Sequence, residues 1–250
     1  MTRARPALQI DIERRPRRYR PQWRRAFAAL RQLLDDADRP HLAFEISLAL
    51  DGGTGAETLD HMLAHREGRR LLRDQPSLLD ALNHREALEG MPDGSLGRAY
   101  LEHIDRYGLD PGKLVELGRN AGGDTESDDP DIRWASQRGS LAHDLWHVIT
   151  GYGADPIGEA TLLPFSWAQT GSRSNLVLTV GASARVLRQI GFSWLPYVWK
   201  AWRRGRSAVC LAALPWEKLL PLPLEEVRAI AGVEPPEIAH PSGVLRGDAY

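Results

Sequence analysis

The chain has 250 residues, 42% of them hydrophobic, and a formal net charge of -1. That length buries a sizeable core in one large helical domain or two small ones, and the balanced charge excludes the global basic field of a nucleic-acid binder. A single cysteine, Cys210, excludes an internal disulfide and a thiolate metal cage, and it points to a reducing, intracellular compartment.

Residues 1–21 carry Arg3, Arg5, Arg14, Arg15, Arg17, Arg18 and Arg20, interrupted by Pro6, Pro16 and Pro21. Asp11 and Glu13 break the acid-poor pattern of a transit peptide, and no apolar signal region is present. A disordered, solvated arm is expected there, in preference to one that binds lipid phosphates or RNA. The first helix begins after Pro21, with Trp23, Phe27, Leu30 and Leu34 on one apolar face, and ends at Asp38-Arg39-Pro40. His41 to Leu50 forms a second, mostly buried helix. After the turn Asp51-Gly52-Gly53, Thr54 and Glu57 fit a capping box that opens a helix bearing Leu59, Met62 and Leu63.

Pro76, Gly90 and Pro92 cut the next stretch into short pieces. A helix follows from Leu96 to Tyr107, with Gly97 allowing a close neighbour. Pro111 starts another that ends near Gly118, and Asn120 to Asp129 reads as an acidic, solvated loop. Asp129 and Pro130 are N-cap and first residue of a long central helix carrying Ile132, Trp134, Leu141, Leu145 and Val148 and ending at Gly151. Gly158 to Gln169 and Asn175 to Ile190 are two more helices, then FSWLPYVWKAWRRGR, then a helix from Arg206 to Leu214. Two short helices broken by Pro221 and Pro223 close the chain. The reading is all-α: an arm over 1–21, one multi-helix domain over 22–236, and a tail over 237–250. No run is apolar enough for the roughly 20 residues of a membrane span.

Chemistry concentrates in HDLWHVITGYGADPIGEATLLPF, residues 143–165. At about 100° per residue, His143 and His147 share one helix face, and Asp144 lies beside them. Two imidazoles at this spacing are a common way to offer nitrogen ligands to a divalent metal. Glu159 opens the next helix after a glycine-rich turn and points back as a third or fourth ligand. His143, Asp144, His147 and Glu159 are therefore the candidate metal residues. Two His with carboxylates and no Cys suit Zn2+ with an open position, and Fe2+ equally by spacing. The contrary reading, two ordinary histidines of core or surface, is disfavoured by four donors placed between glycines.

This segment resembles the signature of the coenzyme Q biosynthesis protein 4 family, HDxxH followed by Glu after eleven residues. MPDGSLGRAYLEHI and RRGRSAVCLAALPWEKLLPLPLEEVRAIAGV resemble further family segments, so residues 90–233 are covered well and the earlier helices more loosely. The arm and the tail IAHPSGVLRGDAY have no counterpart in the resemblance. It implies a helical homodimer that binds a divalent metal and a prenylated quinone precursor and works at a membrane surface with other ubiquinone biosynthesis enzymes. It also implies oxidative decarboxylation at ring carbon 1 of a prenylated 4-hydroxybenzoate, with Asp144 and Glu159 as catalytic candidates. No organelle targeting is evident, so a bacterial member on the cytoplasmic face of the inner membrane is expected, without nucleic acid.

Two stretches suit a lipid. Phe192, Trp194, Tyr197, Trp199 and Trp202 interleave with Lys200, Arg203, Arg204 and Arg206, as in a segment seated at the headgroup level. A basic amphipathic helix packed on the core is the competing reading. The helix from Asn175 to Ile190 offers an apolar tunnel wall for an isoprenoid tail, or equally core or a dimer interface. Two further functions compete with the enzyme: a non-catalytic lipid-binding scaffold with a structural metal, and a helical His-Asp phosphohydrolase. The last would recruit His103 and leave Glu159 idle.

Overall fold

The computed structural model describes residues 19–36, 39, 41–53, 55–120 and 129–245. Most of the Arg-rich arm, Thr54 of the expected capping box, the acidic loop over 121–128 and the tail over 246–250 lie outside the described residues. Every regular element among the described residues is helical, in keeping with the 3.6-residue periodicity. The one extended pairing among them is an isolated bridge between Ser95 and Pro223.

The chain begins with α1 (Trp23–Asp35) and α2 (His41–Asp51), which pack on each other. Ala26 and Ala29 are the buried residues of α1, because small side chains let α2 approach. Trp23 and Phe27, expected on the inner face, instead stack on each other in solvent. A stripe of large residues counted along one helix does not say which flank its neighbour takes.

Short helices follow where sequence punctuation requires them: α3 (Gly55–Ala64), α4 (Arg66–Asp74), α5 (Leu78–Asn83) and α6 (Arg85–Glu89). Then α7 (Leu96–Tyr107) has the bounds the sequence predicts, capped by the Ser95 hydroxyl, which accepts from the Arg98 amide. After α8 (Pro111–Asn120) comes the central α9 (Pro130–Thr150). Its start is set by Asp129, whose carboxylate accepts from the Asp131 amide, and by Pro130.

Downstream, α10 (Pro156–Thr170) begins two residues earlier than its sequence estimate, since Asp155 caps it. Next come α11 (Arg173–Ile190), a 3-10 turn over Gly191–Trp194, and α12 (Leu195–Ser207). The helix expected over Arg206 to Leu214 does not form. Ala208 turns extended, Val209 donates its amide to the Ala231 carbonyl, and only a 3-10 turn, Leu211–Ala213, remains. Then α13 (Trp216–Leu219) and α14 (Leu224–Ala231) match the two short closing helices, and α15 (Pro236–Ala239) packs back onto the body. The tail is thus ordered against the domain as far as His240, which is buried.

The main core joins α7, α9, α10, α12, α13 and α14 through Tyr100, Leu145, Ile149, Phe165, Trp216 and Val227. A second core lies under α1, α2 and α11, around Ile46, Leu50 and Leu178. Each such large apolar side chain contributes about 1.5–3 kcal/mol when fully buried. Together these cores fix the ends of α9 and α10, which meet at the corner that carries the chemistry.

Candidate metal centre

The C-terminal turns of α9 present His143 and His147, their rings edge-on with centroids 4.7 Å apart. Gly151 then ends the helix at φ +74°, a conformation that favours glycine. Asp155 starts α10 by accepting from the amides of Ile157 and Gly158. A side chain at Gly158 would run into the backbone of Gly153, so the corner closes only with glycine there. This tight turn brings Glu159 back over the two histidines.

The Glu159 oxygens lie 3.3 Å from His147 Nε2 and 3.8 Å from His143 Nε2. One donor atom from each of the three residues lies within 4.8 Å of the other two. His147 is buried, and its Nδ1 pairs with the Tyr152 carbonyl at 3.2 Å. Nδ1 therefore carries the proton and donates, which leaves the Nε2 lone pair aimed at Glu159. That Nε2 has no hydrogen-bond partner among the described residues. A carboxylate cannot donate to it, so the gap suits a cation. Two imidazoles and a carboxylate without a thiolate are a donor set that would suit Zn2+ or Fe2+. His143 and Glu159 are 40% and 44% exposed at the side chain, so one flank of the triad stays open.

Asp144 departs from the sequence expectation. It is not brought into the ligand set: it is buried, with Oδ1 3.6 Å from His143 Nδ1. Its position a third of a turn round the helix, on a short side chain, keeps it behind His143. From there it orients that ring. Burial works against a charged His143, but the neighbouring Asp144 and Glu159 carboxylates outweigh it and raise its pKa. Burial would raise the Glu159 carboxyl, yet His147, His143 and His103 hold it down to about 2.

His103, considered in the sequence only for a phosphohydrolase, belongs to this neighbourhood. It stacks on His147 with centroids 5.4 Å apart and planes 22° apart, and its Nε2 is buried without a partner. Burial and then the adjacent His147 lower its pKa to about 4, so it is neutral. Spacing holds no signal for it, because the contact of α7 with α9 is long-range. A cavity of about 520 Å³ lies against His147 and His103, between α7, the end of α9, α14 and the segment after it. Residues of α11 take no part in its wall, so the structure places the cavity away from the helix expected to line a tunnel.

The aromatic and basic segment divides. Trp194 is fully buried, and Arg204 is buried with its guanidinium donating to the carbonyls of Thr150 and Glu234 and lying over the Tyr152 ring. Both were expected at a membrane, and both belong to the core. Tyr197 is half-buried against His240. Phe192 (83% exposed), Leu195 and Trp199 (60% exposed) remain outside, beside exposed Lys200 and Arg203. Trp202 stacks on Trp199 with centroids 5.1 Å apart. Among the described residues no helix is long and apolar enough to cross a membrane.

Comparison with known proteins follows the same segments. A sequence model described as coenzyme Q (ubiquinone) biosynthesis protein Coq4 matches residues 54–237. A mitochondrial ubiquinone biosynthesis protein COQ4 of Yarrowia lipolytica is 33% identical over 181 residues, 71% of this chain and 65% of its own. One of Arthroderma otae is 32% identical over 186 residues, covering 71% and 64%. The chain thus spans a little under two-thirds of these relatives. A crystal structure of a candidate ubiquinone biosynthesis protein from Nostoc punctiforme superimposes with a TM-score of 0.59 at 19% identity, over 86% of this chain and 100% of that one, which establishes a shared fold.

Proposed function

The chain belongs to the coenzyme Q (ubiquinone) biosynthesis protein Coq4 family, and from that premise we propose that it binds a divalent metal at His143, His147 and Glu159 and promotes oxidative decarboxylation of a prenylated 4-hydroxybenzoate-type lipid. The observation that carries this reading is a triad of convergent donors with one flank open and, among the described residues, no fourth protein ligand. A purely structural metal favours four closed ligands, whereas a reactive one keeps a position free.

A divalent ion held there supplies a Lewis acid toward the head group's carboxylate or phenolate. The protein's own part is positional. Tyr152 locks the His147 tautomer, Asp144 orients His143, and Glu159 stays ionised at the site. Asp144, behind His143 and outside the triad, is the group suited to pass a proton. The balance closes with dioxygen alone: the ring–carboxylate bond breaks, carbon dioxide leaves, one oxygen atom joins ring carbon 1 and the other leaves as water. The ring ends at the quinone level, having supplied the remaining electrons. Zn2+ suits the Lewis-acid role and Fe2+ suits dioxygen, so metal analysis decides between them.

The remaining partners are proposed on the same footing: a homodimer, neighbouring ubiquinone biosynthesis enzymes, and a membrane surface met by Phe192, Trp199, Lys200 and Arg203. From the sequence that surface is the cytoplasmic face of a bacterial inner membrane, while the relatives named above are fungal mitochondrial proteins. A second reading, a lipid-holding scaffold with a structural metal, draws support from the polar residues in the wall of the neighbouring cavity. His147→Ala is expected to purify without metal, and unchanged metal content would remove the site. A Glu159→Ala strain is expected to accumulate the carboxylated precursor, and normal ubiquinone in that strain would leave the scaffold.

A further inference from the structure

Tyr152 stands between two glycines, Gly151 and Gly153, and belongs to no helix. With Gly151 at φ +74° on one side and glycine on the other, the local backbone does little to fix the Tyr152 carbonyl. That carbonyl is the group that accepts from His147 Nδ1 at 3.2 Å. Its direction therefore depends on what grips the Tyr152 side chain. The Arg204 guanidinium lies over the ring, 4.9 Å from its centroid. The hydroxyl end is gripped by the last part of the chain.

After α14 the chain crosses back over the corner as a strap. Pro236 sits where a side chain at residue 151 would be, and Val244 packs against the main core. Between them the buried His240 shares a hydrogen bond of 3.1 Å with the Tyr152 hydroxyl through Nε2. Its Nδ1 has no partner among the described residues, so the ring is committed to that one bond. The imidazole is itself firmly mounted. It lies flat on Tyr197, with centroids 5.2 Å and planes 6° apart. Tyr197 in turn lies flat on the fully buried Trp194, with planes 8° apart. The Tyr197 hydroxyl donates to the Gly243 carbonyl at 3.4 Å, which ties the stack to the strap beyond His240. Three parallel rings rooted at Trp194 thus end in a nitrogen held against Tyr152. The family match ends at residue 237, so His240 and Gly243 lie beyond it.

We propose that His240 is a positioning residue for the corner between α9 and α10, acting through the Tyr152 hydroxyl to hold the carbonyl that fixes the His147 ring. What the held ring serves rests on the metal proposed above, whereas the linkage from the strap to His147 stands on these contacts alone. With the carbonyl held, Nδ1 keeps its proton and Nε2 faces Glu159 bare. With the carbonyl released, the proton is free to move to Nε2, the nitrogen that a metal needs unprotonated.

The test uses the full chain and two readouts that need no turnover: imidazole nitrogen NMR of the metal-free protein, and Zn2+ affinity by chelator competition. Wild type is expected to show His147 as one tautomer, protonated at Nδ1. Tyr152→Phe keeps the ring under Arg204 and the carbonyl, and loses only the hydroxyl. His240→Phe keeps the stack on Tyr197 and loses the bond. Each is expected to mix the His147 tautomers and to weaken Zn2+ binding roughly three- to tenfold, less than the ~10–100-fold of a direct outer-shell partner, because His240 acts one bond further out. Both changes together should cost no more than either alone, since they break the same bond. His240→Gln gives up the stack but places an amide where Nε2 was, and should bring both readouts back toward wild type. A single His147 tautomer with unchanged Zn2+ affinity in Tyr152→Phe and His240→Phe overturns the proposal. So does an additive loss in the double variant, which makes the two side chains independent. His240→Gln no better than His240→Phe assigns the effect to the stack and overturns the role of the hydrogen bond. If wild type binds no Zn2+, the proposed metal function falls, and the tautomers of the metal-free protein still decide whether His240 positions His147.

Discussion

The corner between α9 and α10 and the segment of α12 both stand out in residue type and spacing, and the fold uses them differently. At the corner, three of four named residues converge. Along α12 and the turn before it, two of the nine named residues, Trp194 and Arg204, are buried in the core. The corner is a local object: an i, i+4 pair, a capped turn and one side chain of the next helix set its geometry. The outward face of α12 is decided by what packs against it, namely α10, Tyr152 and the segment around Glu234. A basic side chain in an aromatic helix serves a membrane or a buried carbonyl according to neighbours that its own segment does not name.

The largest expected effect separates these two roles of arginine. Arg204→Ala removes a buried guanidinium from the carbonyls of Thr150 and Glu234 and from the Tyr152 ring. Lost charged hydrogen bonds and two stranded acceptors should cost on the order of 3 kcal/mol. Denaturant unfolding should show the loss, while vesicle binding per folded molecule stays unchanged. An unaltered midpoint with weakened vesicle binding would return Arg204 to the membrane face.

An intermediate effect comes from pH. His240 is held neutral, its pKa lowered to about 4 by burial and then by Arg204 and Lys200 of α12. The Tyr152 and Tyr197 rings also face it. An unfolded imidazole titrates near 6.5, so between pH 6.5 and 4 the unfolded chain binds a proton that the native one refuses. Stability therefore falls as pH drops through that window, by up to about 1.4 kcal/mol per unit. Glu159 acts elsewhere: its lowered pKa supplies stability above its ordinary value of 4.5, which is lost only as pH falls toward 2. His143, raised, adds stability below 6.5 and loses it as pH climbs through its folded value. Melting of metal-free His240→Phe should show a flatter slope from pH 6.5 to 4.5 than wild type. Parallel slopes would mean that His240 is charged in the fold.

How much was legible follows the same division. Caps and breakers wrote most helix bounds: Asp129-Pro130 and Gly151 frame α9, and Ser95 and Gly108 frame α7. The convergence of His143, His147 and Glu159 is legible because it needs only helical arithmetic and one turn. Asp144 falls outside the triad, since spacing carries no side-chain length. His103 gives no local signal, because its partner His147 lies on another helix more than forty residues away. Trp23 and Phe27 continue an apolar period and still end in solvent, as the small faces of Ala26 and Ala29 make the contact. The strap at His240 was invisible for the same reason: its order depends on Tyr152 and Tyr197, which no local pattern ties to it.

The smallest effect on stability tests the part of α12 that did stay outside. Phe192 and Trp199 are exposed and lie beside Lys200 and Arg203. Replacing both with Ser removes no core contact, so unfolding free energy should change by less than about 0.5 kcal/mol. Binding to vesicles containing anionic phospholipid should nevertheless fall roughly tenfold, because two aromatic rings no longer enter the interface. Lys200→Gln with Arg203→Gln should instead steepen the loss on dilution of anionic lipid, at about 1 kcal/mol per cation. Set beside Arg204→Ala, the pair inverts the pattern, with stability kept and adhesion lost. If the Ser variant co-sediments as well as wild type, exposure on this helix is not adhesion, and the aromatic face of α12 has no more claim to the membrane than the Trp23–Phe27 stack on α1.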